Sequence, residues 1–390
     1  MFLYFPVVPT SEKPYRVYRQ PRRVKGDGAI QWGDVATNGT GGGPRHAGAP
    51  RRVLRFARRA VFVVLVLVVA WGLIAFLSFR GAVKDANDRL PKAAAAALAP
   101  ADGPAIASSQ VTMLVGADTS AYRQSKGETT GRADTLMLMR VDVPSRTVSM
   151  LSIPRDLYVD IPGHGTAKIN EAYSDGGLPL AIRTVRSVTG IDVNHVAQID
   201  FDGFKDVVDA LGGITIQNPY MVRSGTCDDC AFDGKRWVFP RGKITLDGKH
   251  ALAYARIRKV DERTIELNEQ EGSDLGRIRR QQRVIDAIVA ELASKDSVLH
   301  PRDTPKAAIA PLATDLSASE MMAMAFGKWW SKPENNLRCR LGGDFDTNSE
   351  GASIIIPSED NRAVVRMFLG KQGPVPPDSG QSPGCVREAG

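Results

Sequence analysis

Histidine and cysteine are scarce in this chain: five histidines and four cysteines among 390 residues. The histidines form no cluster and no Ser-His-Asp pattern accompanies them, so neither a hydrolase triad nor a histidine-ligated metal has support. Cys227 and Cys230 have the spacing of half a zinc site or a redox pair. No second CxxC follows, and no histidine pair lies nearby to complete a zinc site. Internal repeats are missing, and so is any helix-turn-helix pattern, which argues against a repeat array and against a DNA-reading module. Acidic residues are sparse at one end. Residues 1–59 hold 12 Lys/Arg against 3 Asp/Glu, a net of 12 − 3 = +9; the whole chain carries +8, so the rest carries +8 − 9 = −1. The basic character belongs to an arm, not to a domain.

Charge is missing altogether from Ala60 to Phe79. At about 1.5 Å per residue, a helix of that length reaches ~30 Å, the thickness of a hydrocarbon core. Arg51, Arg52, Arg55, Arg58 and Arg59 precede it closely, which predicts a transmembrane helix with residues 1–59 in the cytoplasm and the rest outside. A cleaved signal peptide fits poorly, because the basic region before the run is too long and no small-residue cleavage site follows Phe79 closely. Outside the membrane a structural disulfide is the better reading of Cys227 with Cys230. Cys339 and Cys385 make a second candidate pair, among the three pairings that four cysteines allow.

Residues 1–50 are rich in Arg, Pro and Gly without periodicity and read as a disordered cytoplasmic arm. Residues 80–109 read as a linker, interrupted by Pro91, Pro100 and Pro104. The main domain is expected over 110–372, with a Pro/Gly-rich tail at 373–390. Val111–Val115, Thr135–Val143 and Thr147–Ile153 read as strands. Later come a helix at Pro179–Val188, a strand at Val196–Phe201, a helix at Phe204–Leu211 and a strand at Ile214–Gln217. Asp247-Gly248 opens a short helix towards Tyr254. Tyr254–Arg258, if extended, sends Arg256 and Arg258 to one side. Asp274–Leu292 is strongly helical and puts Asp274, Arg277 and Gln281 on one face. Helices are expected near Ala318–Trp330 and Glu359–Leu369, and a strand near Ala352–Pro357. The alternation predicts an α/β domain: a central mixed sheet flanked by helices, preceded by one transmembrane helix.

Asp118 and Asp134 fall at strand ends in this reading, beside Arg132 and Arg155. Carboxylates next to arginines point to a hard cation beside phosphate oxygens. Taken singly, each residue has an ordinary explanation as a cap, a turn residue or a surface ion pair. The ordered set is more specific. Gly116-x-Asp118, Arg132-x-Asp134-Thr135, Ser152-Ile153-Pro154-Arg155-Asp156 and Lys168-Ile169-Asn170 come first. Leu246-Asp247-Gly248-x-x-Ala251-Leu252-x-Tyr254-x-Arg256-x-Arg258 and Asp274-x-x-Arg277-x-x-x-Gln281 follow. Together they resemble the LytR-CpsA-Psr family of cell-envelope phosphotransferases over most of residues 110–292.

The resemblance implies a fold of α/β/α layers. It also implies transfer of a phosphate-linked glycopolymer from a polyprenyl-pyrophosphate carrier to peptidoglycan, with pyrophosphatase action as a side activity. It implies a Mg²⁺ ion held by Asp118 and Asp134. Arg155, Arg256, Arg258 and Arg277 would grip the pyrophosphate with Gln281, Lys168 and Arg132, and Asp274 would orient Arg277. The polyprenyl chain would lie in an apolar tunnel between sheet and helices, whose residues the sequence does not mark. Two other readings stand beside this one: a membrane-bound transcriptional attenuator using the basic arm, and a polyprenyl-phosphate-binding protein without turnover. No nucleic-acid partner is expected.

Overall fold

The computed structural model describes residues 51–118, 131–225, 231–232, 235–267, 274–292, 308–371 and 383–387. The chain divides into residues 1–62, whose described part is the start of one helix, and residues 63–390. That helix, α1 (Arg51–Asn87), is longer than its charge-free run. Nothing stops it at Phe79, because the first proline after the run is Pro91. Its segment Arg58–Asn87 is the one helix among the described residues long and apolar enough to cross a membrane. The stretch read as a linker packs closely: Leu90, Ala94 and Ala97 join the main core.

That core is built on a seven-stranded mixed sheet. Its strands are β1 (Ser109–Asp118), β2 (Arg132–Asp142), β3 (Thr147–Ile153), β4 (His195–Asp200), β5 (Ala313–Thr314), β6 (Leu337–Arg340) and β7 (Gly384–Arg387), in spatial order β5-β4-β1-β2-β3-β6-β7. β1 pairs antiparallel with β2 and parallel with β4; β3 pairs antiparallel with β2 and parallel with β6. Around the sheet lie α2 (Glu171–Thr189), α3 (Phe201–Ala210), α4 (Gly248–Arg256), α5 (Asp274–Leu292), α6 (Ala318–Trp330) and α7 (Asn361–Phe368). The expected sheet with flanking helices is present.

The differences have local causes. α2 starts at Glu171, eight residues before the expected Pro179, and absorbs a kink at Gly176-Gly177 ahead of Pro179. It ends where Gly190 adopts φ 67°, a left-handed cap that a residue with a Cβ disfavours. The strand at Ile214–Asn218 does not join the central sheet. It pairs with Gly242–Leu246 over a second core containing Val208, Phe239, Tyr254 and Ile257. Ser353–Pro357 likewise pairs with Gly343–Thr347, outside the central sheet.

The alternation of the three central strands decides the rest. Val111, Met113 and Val115 of β1, Leu136 and Leu138 of β2, and Leu151 and Ile153 of β3 face α2 and α7 in the main core. Each such side chain, fully buried, contributes about 1.5–3 kcal/mol. The intervening residues Thr112, Leu114, Gly116, Thr135, Met139, Val141, Val148 and Met150 face the other way, into a cavity that no side chain fills.

Candidate active site

The register of β1 against β2 slips at Gly116/Ala117. Gly116 faces Thr135 and Ala117 faces Ala133, which leaves Asp134 as the extra residue of a bulge. A bulge re-aims the side chain it carries, and Asp134 lines the cavity beside Thr135. Asp118 is buried at the end of β1, opposite Arg132 of β2. The two carboxylates therefore sit on adjacent strands at one end of the sheet.

Arg155 follows β3 and donates from Nη1 to Asp134 Oδ1 at 2.8 Å. Its Nε lies 3.4 Å from Asp156 Oδ2, and Lys168 Nζ lies 3.3 Å from the other oxygen of Asp156. Lys168 thus reaches the cluster through Asp156. From the opposite side Arg258 Nη2 comes within 3.8 Å of Asp134 Oδ1. Arg256 is the last residue of α4, not part of an extended segment. The condition that Tyr254–Arg258 be extended is not met, because Asp247 caps α4, accepting from His250 N, and the helix runs on through Arg256. Arg256 and Arg258 line the same cavity all the same, one from a helix end and one from the coil after it. The Arg256 guanidinium lies 4.3 Å from the centre of the Phe201 ring, which fixes its plane. Arg277 is buried on the cavity wall, and Gln281, one turn on, donates to Thr135 Oγ1 at 3.0 Å. Arg132 is exposed at the start of β2. Cys227, Cys230 and the Asp274 side chain lie outside the described residues, whereas Cys339 and Cys385 are joined in a disulfide across β6 and β7.

Below this charged mouth the cavity is apolar. It measures about 1200 Å³ and runs between the sheet and helices α1, α3, α4, α5 and α6. Phe204, Leu252, Ile285, Ile288 and Met324 are among its walls, and Trp71, Ala75, Phe76 and Phe79 of α1 close part of it. One residue that positions the mouth escaped the sequence reading. Arg280 is fully buried and donates to the carbonyls of Tyr254 and Ile257. It ties down the C-terminal end of α4, where both mouth arginines begin. The only signal was its place between Arg277 and Val284 on a buried helix face, inside a run of arginines that looks solvated.

The mouth can do three things chemically. Its guanidiniums outnumber its carboxylates, so it attracts an anion. Guanidinium forks match phosphate oxygens. Its two carboxylates suit a hard cation shared with that anion: among the described residues no cluster of three or more ligating side chains exists, and Mg²⁺ takes one or two carboxylates with waters and phosphate oxygens.

The LytR_cpsA_psr family model matches residues 80–360, and the chain belongs to that family. It is 38% identical over 192 residues to the polyisoprenyl-teichoic acid–peptidoglycan teichoic acid transferase TagU of Bacillus subtilis, a match covering 49% of this chain and 56% of TagU. It is 31% identical over 254 residues to the transferase TagV of the same organism, covering 64% of this chain and 62% of TagV. The chain thus spans about six tenths of the length of these relatives. The structure of TagT bound to LIIa-WTA superposes with TM-score 0.51 at 27% identity, covering 69% of this chain and 94% of that one.

Proposed function

We propose that this protein is a membrane-anchored phosphotransferase that moves a phosphate-linked glycopolymer from a polyprenyl-pyrophosphate carrier to peptidoglycan. The observation that carries this reading is the join within one cavity. A cluster of arginines and carboxylates opens directly into an apolar volume large enough for a hydrocarbon chain. A soluble phosphorylated metabolite needs the first and not the second. A lipid-linked pyrophosphate needs both.

In this reading the donor's pyrophosphate lies among Arg155, Arg256, Arg258 and Arg277, and its lipid tail lies along Ile285, Ile288 and Met324. An acceptor hydroxyl of peptidoglycan attacks the phosphorus that carries the glycan. The new O–P bond forms as the bridging P–O bond breaks, and polyprenyl phosphate leaves with the electron pair. Water in place of the acceptor gives pyrophosphatase side activity. Phosphoryl transfer of this kind depends on positioning and charge neutralisation. Asp118 and Asp134 would hold Mg²⁺, which when bound offsets charge on the pyrophosphate. Arg155 orients Asp134, and Arg280 fixes the helix end that carries Arg256.

The helix α1 anchors the chain, with the arginine-rich side in the cytoplasm and the catalytic domain outside. The Cys339–Cys385 disulfide supports that side, since such bonds persist in oxidising compartments. Relatives named as teichoic acid transferases support the reaction class. The test is turnover by the full chain in vesicles, given a polyprenyl-pyrophosphate-linked glycan and peptidoglycan fragments. Appearance of glycan on peptidoglycan with release of polyprenyl phosphate is expected. Tight donor binding without release would turn the protein into a lipid-phosphate-binding scaffold.

A further inference from the structure

Helix α6 carries apolar side chains on two faces, one towards the cavity and one outward. Lys328 turns inward, with Nζ 3.7 Å from Asp286 Oδ1, and its side chain is 23% exposed. The neighbouring Trp329 turns outward and is 70% exposed. Phe326, Trp329 and Trp330 recur at i, i+3 and i+4, which is one helix face, and all three are exposed, while Met322 one turn earlier is exposed at the cavity wall. The aromatic three pack on each other with ring centroids 5.9–6.0 Å apart. Trp329 is the most open of the three, and Arg146 lies over the Trp330 ring. The other face of α6 is committed. Met321, Met324 and Ala325 line the cavity, and a Cβ on Gly327 would meet Val141 Cγ1 at 2.5 Å, so the helix cannot roll to hide its aromatics.

The start of the helix that carries this face is placed by α1. Ala318, at the start of α6, packs against Ala82, Val83 and Ala86 of α1. At 1.5 Å per residue, Ala82 to Ala86 lie roughly 5–10 Å beyond Phe79, the end of the charge-free run. The headgroup layer on each side of a hydrocarbon core is about 5–7 Å deep. The start of α6 is therefore held at headgroup level by the anchor itself. The cations around the aromatics suit such a place. Arg146 lies 4.2 Å from the Trp330 ring centre and donates to the Trp330 carbonyl, and Lys332 is exposed just beyond. Tryptophan beside basic side chains is the composition of a membrane interface.

We propose that the outer face of α6 is a second membrane contact, seated among the headgroups of an anionic leaflet beside α1. The contact rests on the anchoring role given to α1 above, but not on the transfer reaction. It makes α6 the partition between bilayer and cavity, with apolar surface on both sides. The domain is then held at two points, and the apolar end of the cavity between α1 and α6 faces the hydrocarbon.

The test uses tryptophan emission from the full chain in vesicles of equal parts phosphatidylglycerol and phosphatidylcholine. Nitroxide labels are placed shallow or deep on the acyl chains. The difference between the wild type and the Trp329→Phe/Trp330→Phe variant isolates the two tryptophans; phenylalanine keeps the face apolar. The expected difference spectrum is blue-shifted relative to aqueous tryptophan and loses more intensity to the shallow label than to the deep one. A water-like spectrum quenched by iodide and by neither label would put the face in solvent and overturn the proposal. A blue-shifted spectrum untouched by both labels would mean protein covers it, a second copy included, and would overturn it equally. The difference between the wild type and Trp71→Phe is the control. If Trp71 is quenched by lipid labels and the α6 pair is not, anchoring stands and this contact falls. If Trp71 escapes as well, both fall.

Discussion

The two ends of the cavity are built from opposite materials. The mouth is made of charged side chains that strand ends, a bulge and a helix terminus aim at one point: Asp134 against Arg155 at 2.8 Å and Arg258 at 3.8 Å. The interior is made of apolar side chains, aliphatic and aromatic, that differ from ordinary core only in having an unfilled space opposite them. In the proposed reaction the mouth would determine what chemistry is done and the interior what length of lipid is accepted. Each half has its own way of failing, and variants at the two ends should separate.

The largest effect is expected at the bulge. Removing one preorganised charge-stabilising group from an active site costs on the order of 10²–10³ in kcat. Asp134→Ala should lose about that much transfer activity with donors of every chain length, and most of its response to added Mg²⁺. Asp134→Asn keeps an acceptor for Arg155 and so guards against simple collapse of the mouth. Transfer assays with short- and long-chain donors check both variants, and wild-type rates in Asp134→Asn would remove the carboxylate from the chemistry.

Next come the forks. An ammonium cannot reproduce the planar bidentate grip of a guanidinium. Arg155→Lys and Arg256→Lys should each weaken donor binding about ten-fold or more, near 1.4 kcal/mol, with little change in thermal unfolding. Titration with a short-chain polyprenyl pyrophosphate reads this directly. Unchanged affinity in both would make them surface charges.

The interior predicts the converse pattern. Ile285 lies half-buried on the cavity wall of α5. Ile285→Trp should fill part of the volume, lowering affinity for long-chain donors about ten-fold (~1.4 kcal/mol) while sparing short-chain ones. Equal losses for both lengths would mean that the lipid does not run past α5.

This contrast also explains what the sequence revealed. The mouth was legible through the ordered set of motifs that holds Asp134, Arg155, Arg258 and Arg277 and resembles a known family, since each residue taken singly has an ordinary reading. The helix expected near Ala318–Trp330 is present as α6, and the structure shows Ser317 capping it with Glu320 in a reciprocal pair. The interior was not legible. Ile285, Ile288 and Met324 read as core whether or not a partner side chain opposes them, and emptiness has no sequence signature. The conformation at Arg256 was left open, because an Arg-x-Arg pattern fits a strand as well as a helix end followed by coil. The strands at Ile214–Asn218 and Ser353–Pro357 were recognised as strands, but their exclusion from the central sheet depends on long-range pairing that no local pattern carries.

The smallest effect concerns the edge where the sheet meets α6. His195 of β4 places Nδ1 2.7 Å from Asp315 Oδ2, and Nε2 lies 4.0 Å from Glu320 at the start of α6. Burial by itself disfavours the imidazolium, but the hydrogen bond and charge of Asp315, aided by Glu320, outweigh it and raise the His195 pKa above its ordinary 6.5. A raised folded-state pKa contributes stability that is complete below the unfolded pKa and is lost as pH rises through the folded one. Above the carboxylate range, the protein should therefore unfold at a lower temperature as pH climbs through and past 6.5. Asp315→Asn should flatten that slope, since it removes the charge while leaving an oxygen to accept from Val196 N, as Asp315 does at 2.7 Å. Because His195 pairs with Thr112, at the opposite end of β1 from the mouth at Ala117 and Asp118, donor affinity should not follow the same titration. Thermal melts across pH, run beside donor titrations on the same samples, check this. A melting slope that Asp315→Asn leaves intact would assign the pH response to groups other than the His195 pair.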